Sequence, residues 1–223
     1  VRIASMVADG KAKIIGGVVA EHMMPYFENG NGRNINSESL IQGTTLLVDI
    51  YNLSAPPRVF WTPERVIRGS TFKDIITRGD GSPSGYAATV LDDKTHLRDW
   101  YGIPDSQIHK VHKINNVICF LNNGRAPGDA APDMSPDGTK FWLNDNGLHM
   151  ETRKLLLGKA MDADQEQLVL VFDDWEAYAG RSFTSALPND NADQWNLTAR
   201  WIANHQWIET VTLEDILDRS WTP

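Results

Sequence analysis

Carboxylate side chains follow two apolar, strand-like runs of this 223-residue sequence. Glu64 comes three residues after a run that ends at Trp61. Three more carboxylates directly follow the apolar run 168–172: Asp173, Asp174 and Glu176. In parallel α/β folds the carboxyl ends of the strands face the ligand crevice, so these groups are placed where a substrate binds. Glycoside hydrolysis requires two carboxyl groups across the scissile bond, one acting at the anomeric carbon and one delivering a proton.

Ordinary structural explanations exist for both segments. Thr62, Pro63 and Glu64 match a helix start, with a capping threonine, a proline at the first helical position and an acid in the first turn. The acidic stretch 173–176 could be a solvated loop, although crowding like charges at a strand end favours a functional role. Trp175 offers a flat face that could stack on a sugar ring or fill a core. Local chemistry alone leaves both choices open.

A third acidic pair, Asp92 and Asp93, follows the strand-like run 87–91, and His96 comes four residues after Asp92. These residues could hold substrate hydroxyls or a metal ion. The pair His109 and His112 lies beside two lysines, and we interpret it as a solvated face rather than a metal site.

Other catalytic signatures are absent from the sequence. It contains no cysteine cluster, phosphate-binding loop, dinucleotide fingerprint or Gly-x-Ser-x-Gly motif. Cys119 lies inside an apolar run, which is typical of a small buried residue. A carboxylate is therefore a better candidate nucleophile than a serine or a cysteine, and neither a cofactor nor a metal is predicted.

The composition excludes several classes of partner. The net charge of -8 and pI near 5.2 repel a polyphosphate backbone, so nucleic acid is not an expected partner. No apolar run is long enough to span a bilayer, and no membrane partner is expected. A neutral sugar is compatible with such a surface. One cysteine allows no intramolecular disulfide, and the cellular compartment stays open.

Short apolar runs alternate with longer segments of helical periodicity, which predicts βα units, a largely parallel sheet and an α/β fold in a single domain over 1–223. The predicted strands cover 13–15, 59–61, 86–91, 116–121, 167–172 and 210–212. The predicted helices cover 37–51, 64–68, 70–77, 146–161, 192–205 and 213–219. The stretch from about 122 to 140 is rich in turn-forming residues and is predicted to be a long loop.

The order of these motifs resembles glycoside hydrolase family 57, the retaining enzymes that act on α-glucans. Segments 10–17 and 21–25 are similar to the second conserved region of that family. Its third and fourth regions are similar to two further motifs: Trp61-Thr62-Pro63-Glu64-Arg65-Val66 and Phe172-Asp173-Asp174-Trp175-Glu176-Ala177-Tyr178-Ala179. The closing segments 201–205 and 211–215 resemble the end of the family's barrel. The resemblance therefore extends over nearly the whole chain.

The resemblance implies a role for several residues. Glu64 would be the nucleophile and Asp174 the proton donor. The remaining residues implied at the substrate site are Lys13, His22, Trp61, Arg65, Asp93, His96, Asp173, Trp175 and Glu176. Lys13 stands where the family usually has glutamate. Its positive charge could pair with Asp174 or Glu64 and alter the activity.

The resemblance also implies an incomplete (β/α)7 barrel, because the chain lacks the counterparts of the family's first strand and of its helical region after the barrel. Another chain or segment is then expected to complete the sheet. Amylase and 4-α-glucanotransferase activities both fit this reading. The alternatives are a metal-dependent polysaccharide deacetylase and a non-catalytic glucan-binding barrel.

Overall fold

The structure is a computed structural model, and it describes a subset of the 223 residues. These are residues 2–20, 22–27, 35–63, 66–77, 82–92, 101–104, 107, 110–122, 143–144, 147–148, 157, 161, 168, 170 and 199–219. They form a mixed α/β structure with a four-stranded, mostly parallel sheet.

The sheet contains four strands in the spatial order β1, β2, β4, β3. The first three neighbours are parallel, and β3 pairs with β4 in the antiparallel sense. Their bounds are β1 Val59–Trp61, β2 Ala88–Asp92, β3 His112–Ile114 and β4 Val117–Asn122. A separate antiparallel pair consists of β5 Leu143–Asn144 and β6 Gly147–Leu148.

A two-residue turn joins β3 to β4. Asn115 and Asn116 have φ angles of 48° and 68°, and Ile114 pairs with Val117 across them. Positive φ at both central residues is the condition for the type I′ hairpin turn, and asparagine adopts it at lower cost than other non-glycine residues. The Asn-Asn dipeptide therefore reverses the chain and makes β3 the antiparallel edge strand.

Side chains alternate between the two faces of the sheet, as the period of two along a strand requires. The first face carries one core cluster, in which Phe60, Leu91 and Cys119 pack with residues of the helices. The opposite face carries a second cluster that includes Val59, Val90 and Phe120. Because both faces are buried, the strands read as nearly continuous apolar runs in the sequence.

Four α-helices and one 3-10 helix have both ends within the described residues: α1 Arg2–Ala8, the 3-10 helix Met24–Phe27, α2 Ile35–Tyr51, α3 Gly69–Ile76 and α4 Leu213–Asp218. Leu40 of α2 and Phe72 of α3 are buried in the first cluster, whereas Ile216 of α4 is buried in the second. Residues 199–203 are also helical.

Helix α2 comes very close to the preceding loop at Gly43. A Cβ atom built on Gly43 lies 2.5 Å from the carbonyl oxygen of Gly17 and 3.1 Å from backbone atoms of Val18 and Val19. Backbone atoms cannot move aside without displacing the loop. We therefore expect Gly43→Ala to lower the free energy of unfolding by about 1–3 kcal/mol, although alanine is the better helix former.

Urea denaturation followed by far-UV circular dichroism measures this loss. Gly17→Ala is the matched control, because a Cβ atom at Gly17 meets no described atom within 4 Å. Equal stability of the Gly43→Ala protein and the wild type would contradict the close approach.

Most of the predicted elements that fall on described residues are confirmed. Strand β1 has the predicted bounds, and β2 and β4 differ from theirs by one or two residues. Helices α2, α3 and α4 also match within two residues at each end. The predicted strand 167–172 and the long loop lie almost entirely outside the described residues. The same is true of most of the predicted helix 146–161.

Four local predictions are wrong. Residues 13–15 form no strand, and only Gly16 makes a single parallel bridge, to Phe60. Residues 210–212 are not a strand, because Thr212 caps α4 with its side chain. Residues 66–68 are not helical, since Arg68 has the extended angles of a helix N-cap. Gly147 and Leu148, expected in a helix, form β6.

Candidate functional site

The carboxyl ends of the parallel strands gather at one edge of the sheet, which we call the carboxyl edge. Trp61 ends β1 and is in register with Val90 of β2, two residues before the end of that strand. Asp92 ends β2 directly opposite Asn122, the last residue of β4. The chain therefore leaves this edge toward Glu64 from β1 and toward Asp93 from β2.

Hydrogen bonds between two buried threonines hold the chain where it leaves β1. The hydroxyl of Thr89 donates to the carbonyl oxygen of Phe60 at 3.0 Å. Its single proton is then used, so the hydroxyl of Thr62 donates to Thr89 Oγ1, at 2.6 Å. Both side chains are fully buried. The start of the segment that carries Glu64 is thus tied to the adjacent strand.

The chain that follows Glu64 is also held in place. The N–H of Val66 donates to the carbonyl oxygen of Pro63 at 3.2 Å. Ile67, the next residue, is fully buried in the first core cluster. Glu64 itself lies outside the described residues, but the chain on both sides of it is anchored by packing and hydrogen bonds.

Trp61, an expected substrate residue, lies at the carboxyl edge. Its N–H donates to the carbonyl oxygen of Gly16 at 2.7 Å, and its indole packs against the second core cluster. The side chain is only partly buried. Its place in the fold therefore combines a packing role with a position next to the segment of Glu64.

His22, another expected substrate residue, belongs to a polar network that joins a loop to two helices. Its Nδ1 lies 2.7 Å from the carbonyl oxygen of Ala20, and its Nε2 lies 3.0 Å from Oδ1 of Asn36. The Asn36 amide nitrogen donates to the carbonyl oxygen of Met24 and to Oδ2 of Asp74, each at 3.0 Å. Asn36 is on α2 and Asp74 is on α3.

The donors and acceptors of this network fix its orientation. Both amide protons of Asn36 point at oxygen atoms, so its Oδ1 must be the atom that faces His22. Each ring nitrogen of His22 therefore faces an oxygen atom that can accept a hydrogen bond. Phe27 covers the ring edge-to-face, with 4.9 Å between the ring centroids.

The sequence-based reasoning missed Asn36 and Asp74. A signal for Asn36 was available, because Asn36, Leu40 and Gly43 share one face of α2 and all three are buried. A polar residue at a core position of a helix requires partners, and the amide of Asn36 has three.

Lys13 lies away from the carboxyl edge. Its ammonium group is 3.7 Å from Oε2 of Glu214, and Oε1 of the same carboxylate accepts a hydrogen bond from the N–H of Arg58 at 3.3 Å. Arg58 immediately precedes β1, so this ion pair marks the amino end of that strand. Asp174 and Glu64, the expected partners of Lys13, lie outside the described residues, so that pairing stays a prediction. Because Lys13 lies at the amino end of β1, we leave it out of the proposed substrate site.

The remaining predicted site residues lie outside the described part of the chain: Glu64, Arg65, Asp93, His96, Asp173, Asp174, Trp175 and Glu176. Their roles, and the distance between the carboxyl groups of Glu64 and Asp174, stay predictions. Among the described residues, no group of three potential metal ligands occurs. In the same part of the chain, no helix is both long and apolar enough to cross a membrane.

Cys119 is unsuited to nucleophilic chemistry. Its side chain is fully buried on the first face of the sheet, and burial raises the pKa of the thiol to about 12. The reactive thiolate is therefore scarce at neutral pH.

No protein-family model and no curated protein sequence matches this chain. Solved structures do match it, and three of them cover 99% to 100% of its length. They are a 4-alpha-glucanotransferase from Thermococcus litoralis, a GH57-type branching enzyme from Pyrococcus horikoshii and the alpha-amylase AmyC from Thermotoga maritima. Their TM-scores are 0.66, 0.59 and 0.65, with 14%, 13% and 10% sequence identity in the same order.

This likeness shows the fold. The sequence identities are too low to show more than that. The chain spans 30%, 48% and 51% of the length of the three structures, respectively. The chain therefore shares the architecture of the matched part of each enzyme.

Proposed function

We propose that this chain is the catalytic portion of a retaining hydrolase or transferase that acts on α-glucans. The observation that carries the proposal is the likeness, over almost the whole chain, to a glucanotransferase, a branching enzyme and an amylase. The anchoring of the chain around Glu64 at the carboxyl edge is consistent with it, since strand ends at this edge supply catalytic groups in parallel α/β folds.

The proposed reaction has two steps. The carboxylate of Glu64 attacks the anomeric carbon while the bond to the leaving oxygen breaks, and the carboxyl group of Asp174 gives its proton to that oxygen. In the second step Asp174 removes a proton from an incoming hydroxyl group, which displaces Glu64 from the sugar. A water molecule as acceptor gives hydrolysis, and a sugar hydroxyl gives transfer.

We propose that the substrate contacts come from residues near these two segments. Trp61 and His22 are the described members of this set. The others are Arg65, Asp93, His96, Asp173, Trp175 and Glu176. In a retaining site the two catalytic carboxyl groups stand about 5–5.5 Å apart, which leaves no room for a water molecule between nucleophile and sugar.

Incubation of the protein with maltoheptaose tests the proposal. We expect oligosaccharides of altered length whose newly formed anomeric centres keep the α configuration, as followed by ¹H NMR from the first minutes of reaction. EDTA should leave the rate unchanged, because the two carboxyl groups need no metal ion.

Three results would contradict this expectation. Initial products of β configuration would exclude retention. Acetate release from an acetylated oligosaccharide, abolished by EDTA, would identify a metal-dependent deacetylase instead. Calorimetric binding of maltoheptaose without any turnover would identify a non-catalytic glucan-binding barrel.

A further inference from the structure

Three aromatic rings form a cluster near the helical residues 199–203. The rings of Trp201 and His205 are stacked, with centroids 3.7 Å apart and planes inclined by 27°. Trp207 stands nearly perpendicular to both, at 86° to Trp201 and 84° to His205, with centroid distances of 6.4 Å and 6.1 Å. We call these three residues the aromatic corner.

A cavity of about 280 Å³ opens at the aromatic corner, and Leu157 is the fourth described residue that lines it. This volume is close to the lower limit of about 300 Å³ for small-molecule sites. Trp207 and Leu157 are 45% and 49% exposed. Large apolar side chains gain free energy from burial, so these two side chains offer apolar surface that a ligand in the cavity would cover.

The polar groups beside the aromatic corner in the sequence are two amides and an imidazole. Asn204 and Gln206 are exposed amides that flank His205 in the sequence. The Nδ1 of His205 lies 2.6 Å from the carbonyl oxygen of Trp201, to which it must donate, and within the described residues Nε2 has no hydrogen-bond partner. The amides are uncharged and both donate and accept hydrogen bonds, as hydroxyl groups require.

The nearest acidic side chain along the chain, that of Glu209, is ion-paired with Arg219. Glu209 accepts two hydrogen bonds from the guanidinium group of Arg219, at 2.5 Å and 3.1 Å, and this lowers the pKa of its carboxyl group. A cationic peptide or a quaternary ammonium compound would therefore find no free carboxylate on Glu209. Flat aromatic faces with neutral hydrogen-bonding groups fit a neutral, polyhydroxylated ring instead.

We propose that the aromatic corner binds pyranose rings of a neutral α-glucan chain, on residues that the proposed reaction does not use. The apolar C–H face of a sugar ring stacks on an exposed indole, and the amides and His205 Nε2 bond to its hydroxyl groups. The choice of an α-glucan rests on the proposed function, whereas the choice of a neutral pyranose rests on the side chains of the corner.

Fluorine NMR of the protein labelled with 5-fluorotryptophan tests the inference, with β-cyclodextrin as the probe. The resonances of Trp201 and Trp207 are assigned with Trp201→Phe and Trp207→Phe. A Glu64→Gln background prevents any turnover during the titration. We expect these two resonances to shift saturably, and we expect Trp207→Ala to weaken the binding about tenfold.

Two controls isolate the role of the indole. Trp207→Phe should retain most of the affinity, because a smaller aromatic face remains. Tyr26→Ala removes a side chain that is 79% exposed elsewhere on the surface, and it should leave the affinity unchanged. Far-UV circular dichroism of each variant confirms that the fold is intact.

The outcomes separate this inference from the proposed function. If β-cyclodextrin shifts other tryptophan resonances but not that of Trp207, or shifts none, the inference is overturned, while turnover of maltoheptaose by the wild type still supports the function. If Trp207 responds and the wild type has no turnover, the binding site stands and the catalytic proposal fails. A shift of Trp207 with protein concentration or with a proline-rich peptide, but not with the sugar, overturns the inference.

Discussion

Replacement of Glu64 by glutamine is expected to lower kcat on an activated aryl α-maltoside by about 10⁴-fold or more. The amide has the shape of the carboxylate but cannot form the covalent glycosyl-enzyme, and removal of a nucleophile causes losses of this order or larger. Steady-state kinetics with release of the aryl group measures the effect. The KM should change much less, because the neighbouring contacts to the sugar remain.

A matched control is available on the surface of the molecule. Glu38→Gln makes the same chemical change at an exposed position of α2, and it should leave kcat within experimental error of the wild type. The Glu64→Gln protein must be purified free of contaminating glycosidase. If it then retained the wild-type rate, Glu64 would not be the nucleophile, and the segment 62–64 would only shape the local chain.

Azide distinguishes a nucleophile from a residue that only positions the substrate. With Glu64→Gly, azide can occupy the vacated space and attack the anomeric carbon directly, which gives the β-glycosyl azide. With Asp174→Ala, azide attacks the covalent intermediate on Glu64 and gives the α-glycosyl azide. The absence of azide products from both variants, or the opposite pair of anomers, would contradict the assigned roles.

Replacement of Asn36 by alanine is expected to lower the free energy of unfolding by about 2–4 kcal/mol. The side chain is fully buried and hydrogen-bonds to His22, Met24 and Asp74. Removal of the amide leaves three polar atoms without this partner, and each buried group left unsatisfied costs about 1–3 kcal/mol where water cannot enter. Chemical denaturation followed by tryptophan fluorescence measures the loss.

Gln42→Ala is the appropriate control, since it also removes an amide from α2 but at an exposed position. Its effect should stay within about 0.5 kcal/mol of the wild type. Equal stabilities of the Asn36→Ala protein and the wild type would show that water replaces the amide. The variant also tests His22, because loss of Asn36 removes the acceptor that faces Nε2 and should raise the KM of the glucan substrate if His22 contacts it.

The sequence alone predicted the elements in which one local pattern dominates. Helix α2 was recognisable from apolar residues at helical spacing behind a polar first turn, and α3 and α4 followed the same rule. Strands β1, β2 and β4 were recognisable from short apolar runs rich in β-branched residues between turn-forming segments. These signals are local, so no knowledge of distant partners was needed.

Where two local patterns competed, the element predicted from the sequence was wrong. Residues 210–212 have strand-forming side chains, but the hydroxyl of Thr212 accepts from the N–H of Asp215 and starts α4 instead. The turn at Asn115 and Asn116 had a clear local signal that was overlooked, and β3 was missed with it.

Only the tertiary structure decided which distant residues meet. Strand β4 lies between β2 and β3 in the sheet, and its apolar residues belong to the core clusters on both faces. Lys13 pairs with Glu214, some 200 positions away in the chain, because the bridge from Gly16 to Phe60 and the docking of α4 place both at the amino end of β1. Such pairings depend on the packing of whole elements, which residue spacing does not encode.

The two carboxylate segments, 62–64 and 173–176, show the same division. Residue types and a family resemblance single out Glu64 and Asp174. Both residues follow apolar, strand-like runs that are recognisable from the local sequence. The tertiary structure adds that Thr62 and Thr89 fix the chain before Glu64, and that the amide of Asn36 holds His22. Those contacts join residues 27 and 14 positions apart, and only folding brings them within hydrogen-bond distance.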